Sequence, residues 1–160
     1  MGIDPSTSSS GVAIVNEKGE LVHYEKVTGE AESPQAFHNF YQRLDGLIQS
    51  YGVTEVLYEG QFIGINAKTA MKVIKVSGVV IAVCGKNGIP TEEKKPNSWR
   101  KVFHDTFGKV EKGNPSKRDT FRVVKEKFGC VSNFEKHNDI SDAIGIAFCL
   151  YLSKRELGES

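Results

Sequence analysis

With 160 residues, 39% of them hydrophobic, and a formal net charge of +1 at pH 7, the chain has the size and composition of one globular domain. No apolar stretch approaches the roughly 20 residues of a membrane-spanning helix, and the cysteines Cys84, Cys130 and Cys149 show no CxxC spacing, which argues against a disulfide framework and a zinc site. No signal peptide is visible either, so we expect a single domain over residues 1–160, cytoplasmic and with no membrane partner.

Turn residues and hydrophobic spacing divide the chain into ten predicted elements in the order βββαβαβααα. A short opening strand ends at Asp4, and residues 11–27 predict a β-hairpin around the turn at 16–20. The later elements are a helix at 33–52, a strand at 53–60, a helix at 66–88, a strand at 89–93, and helices at 97–107, 116–129 and 138–156. Ser33 and Pro34 suit the start of the first helix and Gly52 suits its end. This order indicates an α/β domain with a mixed sheet.

Charge is distributed unevenly along the chain. Residues 1–60 hold three basic and nine acidic residues, whereas residues 94–136, the basic segment, hold twelve basic and five acidic ones. A lysine-rich solvated surface would explain a single basic run, but an excess over a whole segment also fits a polyanionic partner such as nucleic acid.

Four carboxylates stand where a globular fold rarely places one. Asp4 and Glu59 each end an apolar strand, and Asp139 and Asp142 lie one turn apart at the predicted start of the last helix, where they share a face. Singly, each has an ordinary explanation: a bond to the following turn, an exposed strand end, or a favourable interaction with the helix dipole. Together they can converge at one edge of a sheet.

Four converging carboxylates would repel one another unless cations lay between them. Ligands that are all oxygen suit Mg²⁺ or Mn²⁺ rather than zinc. Two such ions about 4 Å apart are a standard device for cleaving phosphodiesters. The pattern therefore predicts a two-metal site for phosphodiester cleavage.

Three stretches resemble the RuvC-type Holliday-junction resolvases of the RNase H-like (retroviral integrase) superfamily. They are GIDPSTSSSGVAIV at 2–15, YEGQFIGINAKTAMKV at 58–73 and HNDISDAIGIAFCLYL at 137–152. Their order and spacing match the family over nearly the whole chain, and the compact length resembles the bacteriophage-type members. The implied fold is a mixed five-stranded sheet, with three antiparallel strands followed by two parallel ones, flanked by helices.

The resemblance also implies which residues carry the function. Asp4, Glu59, Asp139 and Asp142 would bind two Mg²⁺ or Mn²⁺ ions per site and, with Lys117, form the catalytic set. The predicted DNA-binding residues are Phe62, Asn66, Lys68, Lys72, Arg100, Lys101 and Arg118. The implied protein is a homodimer that nicks four-way junctions in pairs and leaves 5′-phosphate and 3′-hydroxyl ends.

Two departures from the family and three alternatives stay open at this point. Ser6 stands where the family usually has glycine, and only three residues precede Asp4, which leaves the pairing of the first strand open. The alternatives are a nuclease of the same fold acting on structured RNA, like the YqgF-type proteins, and a module that binds junctions without cutting them. An actin-like sugar kinase fits less well, because Ser6 replaces the glycine of its phosphate loop.

Further residues allow two interpretations each. His137 either caps a helix or lies at the surface, which is the favoured interpretation, or it lies near the metals. Trp99 anchors its short helix or contacts DNA. Phe62 stacks on a base at the junction centre or belongs to the core. On the helix at 66–88, a small apolar stripe is either core or a dimer interface, and it consists of Ala67, Ala70, Met71, Ile74 and Gly78.

Overall fold

A mixed sheet of five strands forms the centre of the molecule. The computed structural model describes residues 1–28, 33–61, 67–108, 110, 113–156 and 158. The strands are β1 (Gly2–Asp4), β2 (Ser9–Val15), β3 (Leu21–Thr28), β4 (Val56–Glu59) and β5 (Thr91–Lys94), in the sheet order β3-β2-β1-β4-β5. β1, β2 and β3 pair antiparallel, whereas β4 runs parallel to both β1 and β5. The predicted sheet is therefore confirmed.

The described part of the chain contains five helices, which pack around the sheet. They are α1 (Pro34–Tyr51), α2 (Ala67–Asn87), α3 (Pro96–Phe107), α4 (Lys117–Phe128) and α5 (Phe134–Glu156). As predicted, α1 begins at a serine cap, where the Ser33 hydroxyl accepts a bond from the Ala36 N–H at 3.0 Å. It ends at Gly52, whose φ of 61° is a left-handed conformation that glycine adopts readily.

The two faces of the sheet carry two different cores, because successive side chains on a strand point to opposite sides. On one face, Val12 packs with Leu44 of α1 and Val80 of α2. On the other, Ala13 packs with Ile144 and Phe148 of α5. α5 thus lies directly over β2, and it also contacts β1, the strand that ends at Asp4.

Two glycines let α5 approach the sheet closely. A Cβ on Gly2 would overlap the backbone of Ala143 and Ala147, and a Cβ on Gly11 would overlap the carbonyl of Asp139. Gly11 is also the partner of Asp4 across the β1–β2 ladder. The close approach therefore brings Asp139 over the end of β1.

The start of α5 differs from the sequence prediction. The helix begins at Phe134, four residues before the predicted start, because Asn133 caps it by accepting the Lys136 N–H at 3.1 Å. The polar side chain at the predicted start, Asn138, instead donates to the Phe134 carbonyl at 2.9 Å. Asp139 and Asp142 consequently lie inside the helix, beyond the first turn where the helix dipole would favour an acid.

The burial of two helices also differs from expectation. Residues 140–149 of α5 are all buried, rather than one stripe of them, because α3 and α4 pack on the side away from the sheet. On α2, only Ala70 of the predicted stripe is buried, whereas Met71, Ile74 and Gly78 are exposed. None of the helices in the described part of the chain is long and apolar enough to cross a membrane.

Candidate active site

The sheet itself places two of the four carboxylates side by side. In the parallel β1–β4 ladder Gly2 pairs with Leu57 and Ile3 with Tyr58. Asp4 and Glu59 are the next residues of the two strands, so both carboxylates leave the sheet at the same edge. Asp139 and Asp142 reach that edge from α5, which lies above it.

Three of these carboxylates are buried. Asp4, Glu59 and Asp142 are each 9% exposed or less, and only the Asp139 side chain retains a modest exposure. A buried carboxylate is costly unless hydrogen bonds or cations compensate for its lost hydration. The compensation comes from two basic side chains and one indole.

Lys117 bridges three of the carboxylates. Its Nζ lies 3.3 Å from Asp142 Oδ2, 3.6 Å from Asp4 Oδ2 and 3.7 Å from Asp139 Oδ1. Lys117 opens α4, which the capping box of Ser116 and Asp119 fixes at its start. The side chain is 40% exposed, so its ammonium group sits at the mouth of the site.

Arg100 lies deeper in the site. Its Nη2 is 3.2 Å from Asp142 Oδ2 and 3.7 Å from Glu59 Oε2, and the side chain is only 12% exposed. Beside it, the indole Nε1–H of Trp99 donates to Glu59 Oε2 at 2.8 Å. The structure thus places Arg100 among the carboxylates rather than at the open surface, and it places Trp99 in the core, as the anchor interpretation predicted.

Two further contacts to Asp139 were not predicted from the sequence. The Ser9 hydroxyl donates to Asp139 Oδ2 at 3.2 Å, and Lys26 Nζ lies 3.5 Å from the same oxygen. Ser9 is the first residue of β2, directly after the serine-rich turn that follows Asp4, and this run of serines is the signal that could have suggested a polar partner there. Lys26 is an isolated lysine on β3 and carries no such signal.

Burial and mutual repulsion change how readily these groups ionise. Burial, together with the nearby charges of Asp142 and Glu59, raises the pKa of Asp4 well above its usual value. Burial also raises the pKa of Asp142, to about 6, although Lys117 and Arg100 oppose the shift. Burial disfavours the charged form of Lys117, but the three carboxylates around it outweigh that effect and raise its pKa.

We expect Asp4→Asn to stabilise the protein in EDTA at pH 8. A carboxyl whose pKa is higher in the folded state destabilises the protein increasingly as the pH rises from its unfolded pKa of about 3.9 toward its folded pKa, so the destabilisation is much larger at pH 8 than at pH 4. Removing the charge should raise the melting temperature by about 2–4 °C for each kcal/mol relieved, and the gain should shrink as the pH is lowered toward 4. Melting curves of both proteins across this pH range test it, with Asp105→Asn on the exposed side of α3 as the control. A lower melting temperature for Asp4→Asn at pH 8 would mean that Lys117 more than compensates for the Asp4 charge.

The donor set fits a hard divalent cation, although the side chains are not arranged as ligands here. Across the described ranges, no group of three or more His, Cys, Asp or Glu side chains is already poised to hold a metal ion. The carboxylate oxygens are instead engaged by Lys117, Arg100 and Trp99. Asp142 Oδ1, by contrast, is a buried oxygen without a hydrogen-bond partner. Four carboxylates facing three cationic groups, those of Lys117, Arg100 and Lys26, leave an excess of negative charge, which divalent ions would neutralise.

The predicted DNA-binding residues lie in several places. Lys101 and Arg118 are exposed, and the Arg118 guanidinium lies 4.4 Å from the centroid of the Phe134 ring. On α2, Lys68 is exposed and Lys72 is half-buried. Phe62 and Asn66 lie outside the described residues.

His137 caps the start of α5, as the favoured interpretation predicted. Its Nδ1 accepts from the backbone N–H groups of Ser132 and Asn133, at 3.2 and 3.3 Å.

Comparisons with known proteins agree with this geometry. A family model described as "Crossover junction endodeoxyribonuclease RuvC" matches residues 1–150. Proteins of that name from Clostridioides difficile strain 630 and Cytophaga hutchinsonii are 29% and 27% identical to the chain. The first alignment covers 93% of this chain and 87% of the relative, and the second covers 100% and 79%.

Solved structures of low sequence identity share the fold. RuvC of T. thermophilus in complex with Holliday junction substrate superimposes with a TM-score of 0.77 at 19% identity, covering 99% of this chain and 94% of that one. The yeast mitochondrial Holliday junction resolvase Ydc2 gives a TM-score of 0.62 at 16% identity, covering 98% and 79%.

Proposed function

The chain belongs to the RuvC family of crossover junction endodeoxyribonucleases, whose family model matches residues 1–150, and we propose on this basis that it hydrolyses phosphodiester bonds in four-way DNA junctions. The observation that carries the proposal is the convergence of four carboxylates with Lys117 and Arg100 at one edge of the sheet. Such a cluster costs folding energy and is typical of a catalytic site.

Two Mg²⁺ or Mn²⁺ ions would be held by Asp4, Glu59, Asp139 and Asp142. Two cationic side chains that already bridge these carboxylates support the assignment. Lys117 lies between Asp4, Asp139 and Asp142. Arg100 lies between Glu59 and Asp142. Bound there, such ions supply a hydroxide from water and stabilise the departing 3′ oxygen.

The basic side chains divide into two roles. Lys117, at the mouth of the site, is suited to bind an oxygen of the phosphate that is cut, because its ammonium is charged and reaches solvent. Arg100 stays against Asp142 and Glu59 and holds these two carboxylates in place. Lys101 and Arg118 are exposed on the basic segment and would bind neighbouring phosphates, which fixes the position of DNA without reading its sequence.

Paired nicks require two active sites, as a homodimer would provide. A row of exposed apolar residues and glycines along α2, which we call the seam, supports such a homodimer. Met71, Ile74 and Ile81 are 60%, 43% and 49% exposed. Together with Gly78 and Gly85 they follow the spacing 3, 4, 3, 4, which is the a and d pattern of paired helices. A Cβ on either glycine would meet no other atom within 4 Å, so this face is open to a partner. A two-fold contact between two α2 helices would bury it.

We expect Ile74→Glu combined with Ile81→Glu to yield a monomer. Charges on both exposed isoleucines would oppose burial of the seam. Light scattering should report half the wild-type mass, and junctions should be nicked singly rather than in pairs. Ala82→Glu, exposed on the same helix but off the seam, is the control. A double variant that stays dimeric would show that the dimer interface lies elsewhere on the molecule.

Synthetic four-way junctions test the function directly. The protein is incubated with labelled junction, with a linear duplex of the same sequence and with structured RNA, each with Mg²⁺ and with EDTA. The proposal requires Mg²⁺-dependent nicks in the junction that leave 5′-phosphate and 3′-hydroxyl ends. Preferential cutting of RNA would favour the YqgF-like alternative, and tight junction binding without cutting would favour the binding module.

A further inference from the structure

Trp99 is a buried tryptophan with a polar partner in the candidate site. It is the only tryptophan of the chain and lies in α3 with no exposed surface. Its Nε1–H donates to Glu59 Oε2 at 2.8 Å, across 40 residues of sequence. A buried indole N–H needs an acceptor, and here that acceptor is a candidate metal ligand.

The fold makes a specific slot for this ring. Leu57, Ile146 and Cys149 surround it. Gly145 of α5 faces it, and a Cβ at that position would lie 2.6 Å from Cζ3 of the indole, closer than packed atoms approach. The orientation of the ring, and hence of its N–H, is therefore fixed by packing on three sides.

The face of the same ring contacts a second group of the site. The Arg100 guanidinium lies 4.8 Å from the ring centroid, and its Nη2 reaches Asp142 at 3.2 Å. Trp99 thus touches Glu59 with its edge and Arg100 with its face. A tryptophan that served only to fill the core would need an acceptor for its N–H, but not one that is itself a candidate metal ligand.

We propose that Trp99 is a positioning residue that holds Glu59 Oε2 and thereby presents Oε1 to the bound cation. Within the described ranges, the polar side chains found next to Glu59 are Trp99 and Arg100, and both contact its Oε2 atom. Partners that orient a ligand in this way typically change metal affinity or activity by 10–100-fold when removed. The inference rests on the proposed metal-dependent function, and it adds a residue to that site.

Nuclear magnetic resonance tests the hydrogen bond separately from catalysis. With one tryptophan, the ¹⁵N-labelled protein has one indole N–H resonance. In metal-free protein this resonance should lie downfield and move upfield in Glu59→Gln, because an amide oxygen is a weaker acceptor than a carboxylate. Mg²⁺ should also move it in the wild type, as the ion draws charge from Glu59. A resonance that responds to neither change would overturn the proposal.

Metal affinity tests the consequence. Trp99→Phe should bind Mn²⁺ about 10-fold more weakly, as followed by the electron paramagnetic resonance of free Mn²⁺. Because that variant can also loosen the core, a second protein carries benzothienylalanine at position 99, which replaces the N–H by sulfur in a ring of the same shape. It should show the same loss, whereas 7-azatryptophan, which keeps the N–H, should restore the affinity.

Phe103→Leu is the matched control for packing. Phe103 is fully buried in the same helix and packs in the α5 cluster, away from Glu59. The Phe103→Leu variant should have a lower melting temperature than wild type, but its Mn²⁺ affinity should stay within about 2-fold of the wild-type value. Wild-type Mn²⁺ affinity in the benzothienylalanine protein would overturn the positioning role. Failure of the wild type to cut any nucleic acid would count against the proposed function instead, since the resonance and Mn²⁺ measurements do not depend on cutting.

Discussion

Cleavage of four-way junctions is expected to fall by a factor on the order of 10³ or more when Asp4 is replaced by asparagine or Glu59 by glutamine. Each change keeps the shape of the side chain and removes one negative charge from the site. The lost charge weakens the binding of divalent ions at the point where the reaction develops its own charge. Single-turnover cleavage of a labelled junction in Mg²⁺ measures the loss.

Junction binding in the same variants should persist or strengthen. Phosphates approach a site that holds an excess of carboxylates, so removing one reduces repulsion. Binding is measured by gel shift in Ca²⁺ or EDTA, where cutting is suppressed. Asp105→Asn, an exposed acid on α3, is the control and should cut at the wild-type rate. Normal cutting by both Asp4→Asn and Asp139→Asn would show that the carboxylates are not the metal ligands.

Lys117→Ala is expected to reduce cleavage on the order of 10²-fold while weakening junction binding only a few-fold. Its ammonium is held 3.3 Å from Asp142 and the side chain is 40% exposed, so the ammonium is positioned for the reacting phosphate rather than for general attraction of DNA. Lys125 lies two turns further along α4 and is exposed, which makes Lys125→Ala the matched control with a mild effect on both measurements. A parallel loss of binding and cleavage in Lys117→Ala would reduce its role to that of an ordinary phosphate contact.

The same variant also needs a stability measurement. Without Lys117, three carboxylates lose a shared cation, so the metal-free protein should melt at a lower temperature. Mg²⁺ should restore most of the difference. Cleavage rates are therefore compared only at Mg²⁺ concentrations where wild type and variant melt alike.

The local sequence was sufficient for the elements and for the strand-end carboxylates. Alternation, caps and turn residues act over a few positions, which is why the order of the elements along the chain and the Ser33 and Gly52 boundaries of α1 could be predicted. Asp4 and Glu59 were conspicuous because each follows an apolar strand. The start of α5 was missed because both Asn133 and Asn138 suit a helix cap, and only the tertiary structure shows which side chain accepts the backbone N–H.

What the tertiary structure decided is how distant side chains meet. The sequence by itself determined the α/β order of the elements and the two carboxylates at strand ends, Asp4 and Glu59, because those features arise from neighbouring residues. It could not determine that Arg100 turns inward to Asp142, that Ser9 and Lys26 reach Asp139, or that Trp99 donates to Glu59. These contacts join residues 40 or more positions apart, and they follow from the close approach of α5 to the sheet over Gly2 and Gly11, together with the packing of α3 against α5.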